Sequence, residues 1–181
     1  MSKKKKRAYK KSLKKATKLK KLLSPDIKAV GVFVDAPLDT VARLLKDGII
    51  DVAQLHGHED EEYIKALQNI SGKPVIRAFR VKNAEDIEAA ENSPADMVLL
   101  DSGAGTGTTF DWSTVENVKR PFFLAGGLEP ENAQAAVRQL HPYGLDVSSG
   151  IETDGVKDKS KMEAFAEAAR AEGINKEAQN D

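Results

Sequence analysis

The sequence predicts an α/β fold in which a parallel sheet is covered by helices. Three observations carry this. From residue 28 onward a strand-like segment followed by a helix-like one recurs six times. The strand segments are short and apolar along their whole length, as in strands buried on both faces. The helix segments carry apolar residues on one face only. Open doubly wound sheets and closed barrels both fit this pattern.

Taken in order, Ala29–Val34 is apolar and β-branched and reads as a buried strand. Pro37 follows, and Leu38–Lys46 sets Leu38, Val41, Leu44 and Leu45 at helical spacing. Ile50–Leu55 is the next strand, ending at His56-Gly57. Glu59–Ile70 is a helix with acids in its first turn. Lys73–Phe79 is a strand, and Asn83 caps a helix through Ala90. Met97–Leu100 is a strand that ends at Asp101. A Gly/Thr-rich loop, Ser102–Thr109, leads through Phe110-Asp111-Trp112 into a short helix. The strand Phe122–Ala125, the helix Pro130–Leu140, the strand Leu145–Val147 and a last helix from Asp158 to Glu172 complete the chain. The first strand is not followed by a Gly-x-Gly-x-x-Gly fingerprint, which argues against a dinucleotide-binding sheet. Gly103–Gly107 lacks the Lys-Ser/Thr of a phosphate-cradling P-loop.

The formal net charge of zero hides an asymmetry. Residues 1–29 hold 13 Lys and Arg and one acid, Asp26, whereas the remainder holds 15 basic and 27 acidic residues. The expected organisation is a basic, disordered head over residues 1–11, one domain over residues 12–175 and a disordered tail over 176–181. Ser12–Leu23 reads as an amphipathic basic helix packed on its own domain, broken by Ser24-Pro25. A basic block of this kind also raises a nucleic-acid contact, although Tyr9 is the only aromatic among these charges. The absence of Cys excludes disulfides and thiolate chemistry and fits the cytoplasm. Three scattered histidines suggest no metal site, and no apolar run is long enough to span a membrane.

The candidate chemistry lies at strand ends. Phe122–Leu128 and Leu145–Gly150 each read as a buried strand ending in small residues, Gly126-Gly127 and Ser148-Ser149-Gly150, with helix pattern after it. Small residues let a phosphate approach backbone N–H groups, and a following helix N-terminus adds positive partial charge. Consecutive strand ends of this kind hold phosphate in many barrels. Asp101 sits at the end of a buried strand, where a carboxyl can serve as a general acid. Gln54 and His56 occupy another strand end and either bind a substrate or satisfy backbone groups. Asp146, between Leu145 and Val147, reads as structural.

These residues resemble the phosphoribosylanthranilate isomerase family. The matching segments run in family order: Val30–Val34, Gln54–Gly57, Val75–Phe79, Leu99–Ser102, Gly105–Trp112, Leu124–Pro130, Pro142–Glu152 and Gly155–Lys157. Thr108 departs from the family's usual Lys or Gln. The resemblance implies the (β/α)8 TIM-barrel class and an Amadori rearrangement of N-(5-phosphoribosyl)anthranilate to the 1-deoxyribulose 5-phosphate in tryptophan biosynthesis, with no cofactor or metal. It implies Asp101 as general acid on the furanose ring oxygen. It places the phosphate on Gly126, Gly127, Ser148, Ser149 and Gly150, and Arg7 on the anthranilate carboxylate, while Gln54 and His56 stay substrate-binding candidates by their strand-end position. Indole-glycerol-phosphate synthase, another phosphate-binding barrel of the pathway, fits Gly105–Trp112 less well.

The family's general base is a Cys in a Lys-Ile-Cys-Gly motif at the end of its first strand, and this sequence has neither the motif nor any Cys. By the same resemblance Val30–Val34 matches the third family strand. The expectation is therefore an incomplete barrel of about six strands, with open edges at the Val30 and Leu145 strands that invite self-association or a complementing chain. A lost general base costs roughly 10²–10⁴-fold in rate, so the chain alone is expected to be a poor isomerase, with truncation of a complete enzyme the favoured origin. The alternatives are a non-catalytic, degenerate phosphate-binding barrel and a nucleic-acid-contacting module led by the basic arm.

Overall fold

The computed structural model describes residues 13–101 and 112–171. Its elements run α1 (residues 13–20), β1 (Val30–Phe33), α2 (Leu38–Lys46), β2 (Val52–Leu55), α3 (Glu61–Ser71), β3 (Val75–Arg80), α4 (Ala84–Glu91), β4 (Met97–Asp101), a 3-10 turn (Trp112–Thr114), β5 (Phe122–Ala125), α5 (Pro130–Leu140) and β6 (Gly144–Asp146). A second 3-10 turn (Ser149–Ile151), a hairpin of β7 (Glu152–Thr153) and β8 (Val156–Lys157), and α6 (Lys159–Arg170) follow.

The six main strands form one sheet in the order β1-β2-β3-β4-β5-β6, and the pairs β1–β2, β4–β5 and β5–β6 are parallel. This order decides what periodicity left open. A doubly wound sheet reverses its strand order at a switch point, whereas barrels add each strand to the same side of the last. The α/β barrel class is thus borne out, with six strands.

The described chain divides into two compact units. One holds residues up to Ile76 with Pro94–Asp96, and the other holds Arg77–Ser93 and the residues from Met97 on. In the first, Val41, Leu44 and Leu45 of α2 and Ile64 and Leu67 of α3 pack with Ala53, Leu55 and Val75. Asp60 caps α3 by accepting from Tyr63 N at 2.8 Å, and Gly72 ends it in the left-handed conformation. In the second, Val98, Leu100, Phe122 and Leu124 form a sheet face packed with Ala133, Ala136 and Leu140 of α5 and Phe165 of α6. Asn83 caps α4 as expected, accepting from Asp86 N at 3.1 Å.

The amphipathic segment at 12–23 needs refinement. Residues 13–20 are helical, Leu13 packs against the first core, and Lys20 pairs with Asp51, which also accepts from Ala29 N. These bonds, the Lys20 one foremost, hold the Asp51 carboxyl below its usual range. Leu19, Leu22 and Leu23 nonetheless stay exposed, so only part of the apolar stripe is used. Among the described residues no helix is long and apolar enough to cross a membrane. The head over 1–11 and the tail over 176–181 lie outside the described residues.

Candidate active site

The second unit brings the sequence-predicted strand ends together. Asp101 pairs in register with Ala125, and Ala125 pairs with Asp146. Side chains of register partners in parallel strands point to the same face, and neighbouring strands are about 4.8 Å apart. Asp101, Ala125 and Asp146 therefore stand level on the face opposite Leu100 and Leu124, with the two aspartates roughly 10 Å apart at Cα and the small Ala125 between them. Asp146 joins Asp101 in this row, which the apolar neighbours Leu145 and Val147 concealed. The main chain at Asp101 is fixed by Val81 N, which donates to its carbonyl at 3.0 Å.

Beyond Ala125 the chain turns through Gly126 (φ 92°) and Gly127 (φ 63°), left-handed conformations that glycine adopts without steric cost. Asn132 in the first turn of α5 holds this bend: its Nδ2 donates to the Gly127 carbonyl at 2.9 Å, and its Oδ1 accepts from Glu129 N at 3.0 Å. Beyond β6 lies the second bend, Ser148-Ser149-Gly150. A Cβ at Gly150 would stand 1.8 Å from the Leu128 carbonyl oxygen, so the two bends meet backbone to backbone and Gly150 permits it. β6 is followed first by a single 3-10 turn, Ser149–Ile151. The longer α6 starts only at Lys159, and its first N–H groups are taken by Asp158, which accepts from Ser160 N and Lys161 N.

Sequence reasoning missed the element that closes this region. Glu152–Thr153 and Val156–Lys157 form an antiparallel hairpin around Asp154 (φ 51°) and Gly155 (φ 74°). Asp-Gly at a two-residue turn is a strong hairpin signal, available from the sequence. The hairpin sends Lys157 back onto the Ser148 bend, where its Nζ donates to the Ser148 carbonyl at 2.8 Å and pairs with Glu152 at 2.7 Å.

Gln54 and His56 belong to the first unit. Gln54 is buried on β2, and His56 Nε2 lies 2.9 Å from its Oε1, so the strand-end pair is preorganised. Beside it the buried Glu59 accepts from Asp35 N and Gly57 N, each at 2.8 Å, which ties the chain after β1 to the chain after β2. Tyr63 donates to the Ala36 carbonyl at 3.0 Å, and burial, reinforced by the Glu59 charge, pushes its hydroxyl up to about 12. Arg7, Thr108 and the Gly103–Gly107 loop lie outside the described residues. An apolar groove of about 420 Å³ flanks α1, lined by Leu13, Thr17, Ile49 and three lysines, and none of the candidate residues lines it. Among the described residues no three His, Cys, Asp or Glu side chains cluster as metal ligands.

The model of the N-(5'-phosphoribosyl)anthranilate isomerase family matches residues 2–168 of this sequence. The chain belongs to this family. It is 44% identical over 152 residues to the N-(5'-phosphoribosyl)anthranilate isomerase of Endomicrobium trichonymphae, covering 81% of this chain and 74% of that one. It is 42% identical over 164 residues to the enzyme of that name from Acetivibrio thermocellus, covering 83% and 75%. Among solved structures, the phosphoribosyl anthranilate isomerase of Thermotoga maritima superimposes with a TM-score of 0.77 at 32% identity, over 88% of this chain and 80% of that one. A phosphoribosyl anthranilate isomerase in complex with reduced 1-(o-carboxyphenylamino)-1-deoxyribulose 5-phosphate gives the same TM-score, 0.77, and covers 88% and 79%.

Proposed function

We propose that this chain is an N-(5'-phosphoribosyl)anthranilate isomerase of tryptophan biosynthesis, built for an Amadori rearrangement without metal or cofactor, that binds the substrate and is impaired by itself in turning it over. The observation that carries this reading is the row of Asp101, Ala125 and Asp146 directly below two backbone bends that touch at Gly150 and Leu128. Gly126, Gly127, Ser148, Ser149 and Gly150 receive the 5-phosphate through main-chain N–H groups. Asp101 donates a proton to the furanose ring oxygen and opens the ring. Gln54 and His56, by their strand-end position, and Arg7, by the family resemblance, are further substrate-binding candidates, Arg7 for the anthranilate carboxylate.

The step that follows ring opening removes a proton from the sugar carbon next to the imine. The family uses a Cys for this, and this sequence has none. Loss of a general base costs roughly 10²–10⁴-fold. On this reading the given chain by itself binds the substrate and turns it over poorly. Two measurements test the reading. By titration calorimetry the chain is expected to bind reduced 1-(o-carboxyphenylamino)-1-deoxyribulose 5-phosphate. In an isomerase-deficient tryptophan auxotroph it is expected not to restore growth. Absence of binding overturns the substrate assignment, and growth rescue overturns the claim of impairment.

The partner reading is drawn from β1. Val30, Val32 and Val34 are 46%, 61% and 65% exposed, and among the described residues β1 pairs on one side only, with β2. Apolar strands with a free edge recruit further strands. A further strand, from a second copy or from another chain, would meet this edge. We assign the protein to the cytoplasm on the pathway of its family.

A further inference from the structure

The bend after β6 offers main-chain N–H groups but, by itself, no full positive charge. The helix N-termini near it do not supply one either: α6 is capped by the Asp158 carboxylate, and α5 begins between Glu129 and Glu131. A phosphate monoester carries close to two negative charges at neutral pH, so a cation near the bend matters.

Lys157 stands there, and the fold goes to some length to put it there. The Asp154-Gly155 turn pairs Lys157 with Glu152 across the hairpin. The hairpin is pinned on both flanks: Thr153 Oγ1 donates to Asp158 Oδ2 at 2.8 Å, Asp158 N donates to the Ile151 carbonyl at 2.9 Å, and Lys161 Nζ donates to the Glu152 carbonyl at 2.8 Å. From this platform Lys157 Nζ reaches the Ser148 carbonyl at 2.8 Å and the Ser148 hydroxyl oxygen at 3.4 Å, with Glu152 Oε1 at 2.7 Å on its other side.

The geometry of a peptide unit gives this contact its consequence. In a trans peptide the carbonyl of one residue and the N–H of the next lie in one plane and point in opposite directions. Lys157 holds the Ser148 carbonyl at 2.8 Å, beside a longer bond of 3.4 Å from Ile151 N, and together they fix the direction of the Ser149 N–H. Lys157 also polarises that peptide, which makes its N–H a stronger donor.

We propose that Lys157 is the positioning residue of the phosphate-binding bend: with its charge balanced by Glu152, it holds the Ser148–Ser149 peptide so that the Ser149 N–H faces the ligand phosphate. The inference rests on the phosphate assignment made above for Ser148–Gly150.

Four proteins and two ligands test it. The wild-type chain and the K157M, K157R and K159M variants are titrated with reduced 1-(o-carboxyphenylamino)-1-deoxyribulose 5-phosphate and with its dephosphorylated form. Lys159 is a matched control, since it pairs with Glu163 on the surface of α6. K157M is expected to weaken the phosphorylated ligand by about tenfold, the size of one hydrogen bond to a charged group. It should leave the dephosphorylated ligand unchanged. K157R, which keeps the charge and the donors, should restore binding to within about threefold of wild type. K159M should match wild type. Equal losses on both ligands, an unchanged K157M, or a K159M loss as large as that of K157M each overturn the inference while leaving the substrate assignment in place. A wild-type chain that binds neither ligand overturns both. Were K157M to unfold, K157R still decides, because a tenfold loss there contradicts the proposal.

Discussion

β1 and β5 are both four-residue apolar strands, Val30-Gly31-Val32-Phe33 and Phe122-Phe123-Leu124-Ala125. Their surroundings differ. β5 has β4 on one side and β6 on the other, and it buries Phe122 and Leu124 in the core of its unit. β1 has a partner on one side only among the described residues, and Val30 and Val32 face outward. The same kind of sequence is thus stabilising in one place and a liability in the other. An apolar strand states what environment it requires, and the neighbours decide whether it is met.

The largest expected effect contrasts the two directly. Leu124→Ala removes a side chain that is 1% exposed and opens a cavity in a close-packed face, at a cost of about 3 kcal/mol. Val32→Ala removes apolar surface that is already in water and should change stability by less than about 0.5 kcal/mol. Urea unfolding followed by the fluorescence of Trp112, which packs against the β5 core, reads the first. Circular dichroism reads the second. A Val32→Ala cost as large as that of Leu124→Ala would mean that β1 is covered in solution, and a cost that grows with protein concentration would identify the cover as another chain.

A smaller effect is expected where the two bends of the site meet. Gly150→Ala forces a methyl group against the Leu128 carbonyl oxygen, a backbone atom that cannot rotate away. The expected cost is about 2 kcal/mol, since over-packing against fixed atoms displaces the chain rather than a side chain. Binding of the phosphorylated ligand should fall with it, because the bends must separate. Alanine at Gly155, which has nothing within 4 Å of an added Cβ but a φ of 74°, should weaken the hairpin through backbone strain alone. If Gly150→Ala proves no worse than Gly155→Ala, the bends do not touch as described.

Much of this architecture was legible in advance, and the exceptions have physical causes. The bounds of α2, α5 and β5 follow from helical spacing, Pro130 at a first helical position and a compact apolar run. Periodicity alone left the strand order open, because register is set by partners far away in sequence, and it was the family resemblance that gave the barrel order the sheet has. Asp146 looked structural for the same reason: its apolar neighbours are visible locally, whereas its alignment with Asp101 passes through Ala125 on another strand. The hairpin at Asp154-Gly155 was legible and was missed, since its strands are only two residues long and carry no periodicity. Glu59 was missed as well. It reads as one of the acids in the first turn of a helix from Glu59, whereas the helix begins at Glu61 and Glu59 lies before it, buried on two backbone N–H groups.

The smallest effect concerns the support behind the site. The Asp158 carboxyl accepts from Thr153 Oγ1 and from the first N–H groups of α6, and these bonds, the Thr153 one foremost, hold it below its ordinary value of 3.8. A carboxyl whose folded value is lowered stabilises the fold in full above its unfolded value, and the contribution disappears as the pH falls through the folded value. Thermal melts of wild type and Asp158→Asn should therefore differ by a constant amount from neutral pH down to the ordinary aspartate range and converge below it. The convergence should be accompanied by weaker binding of the phosphorylated ligand, because the hairpin that aims Lys157 at Ser148 is tied to α6 through this carboxyl. A gap between the two melts that ignores pH would show that Asp158 acts by shape alone, and the platform behind Lys157 would then not depend on its charge.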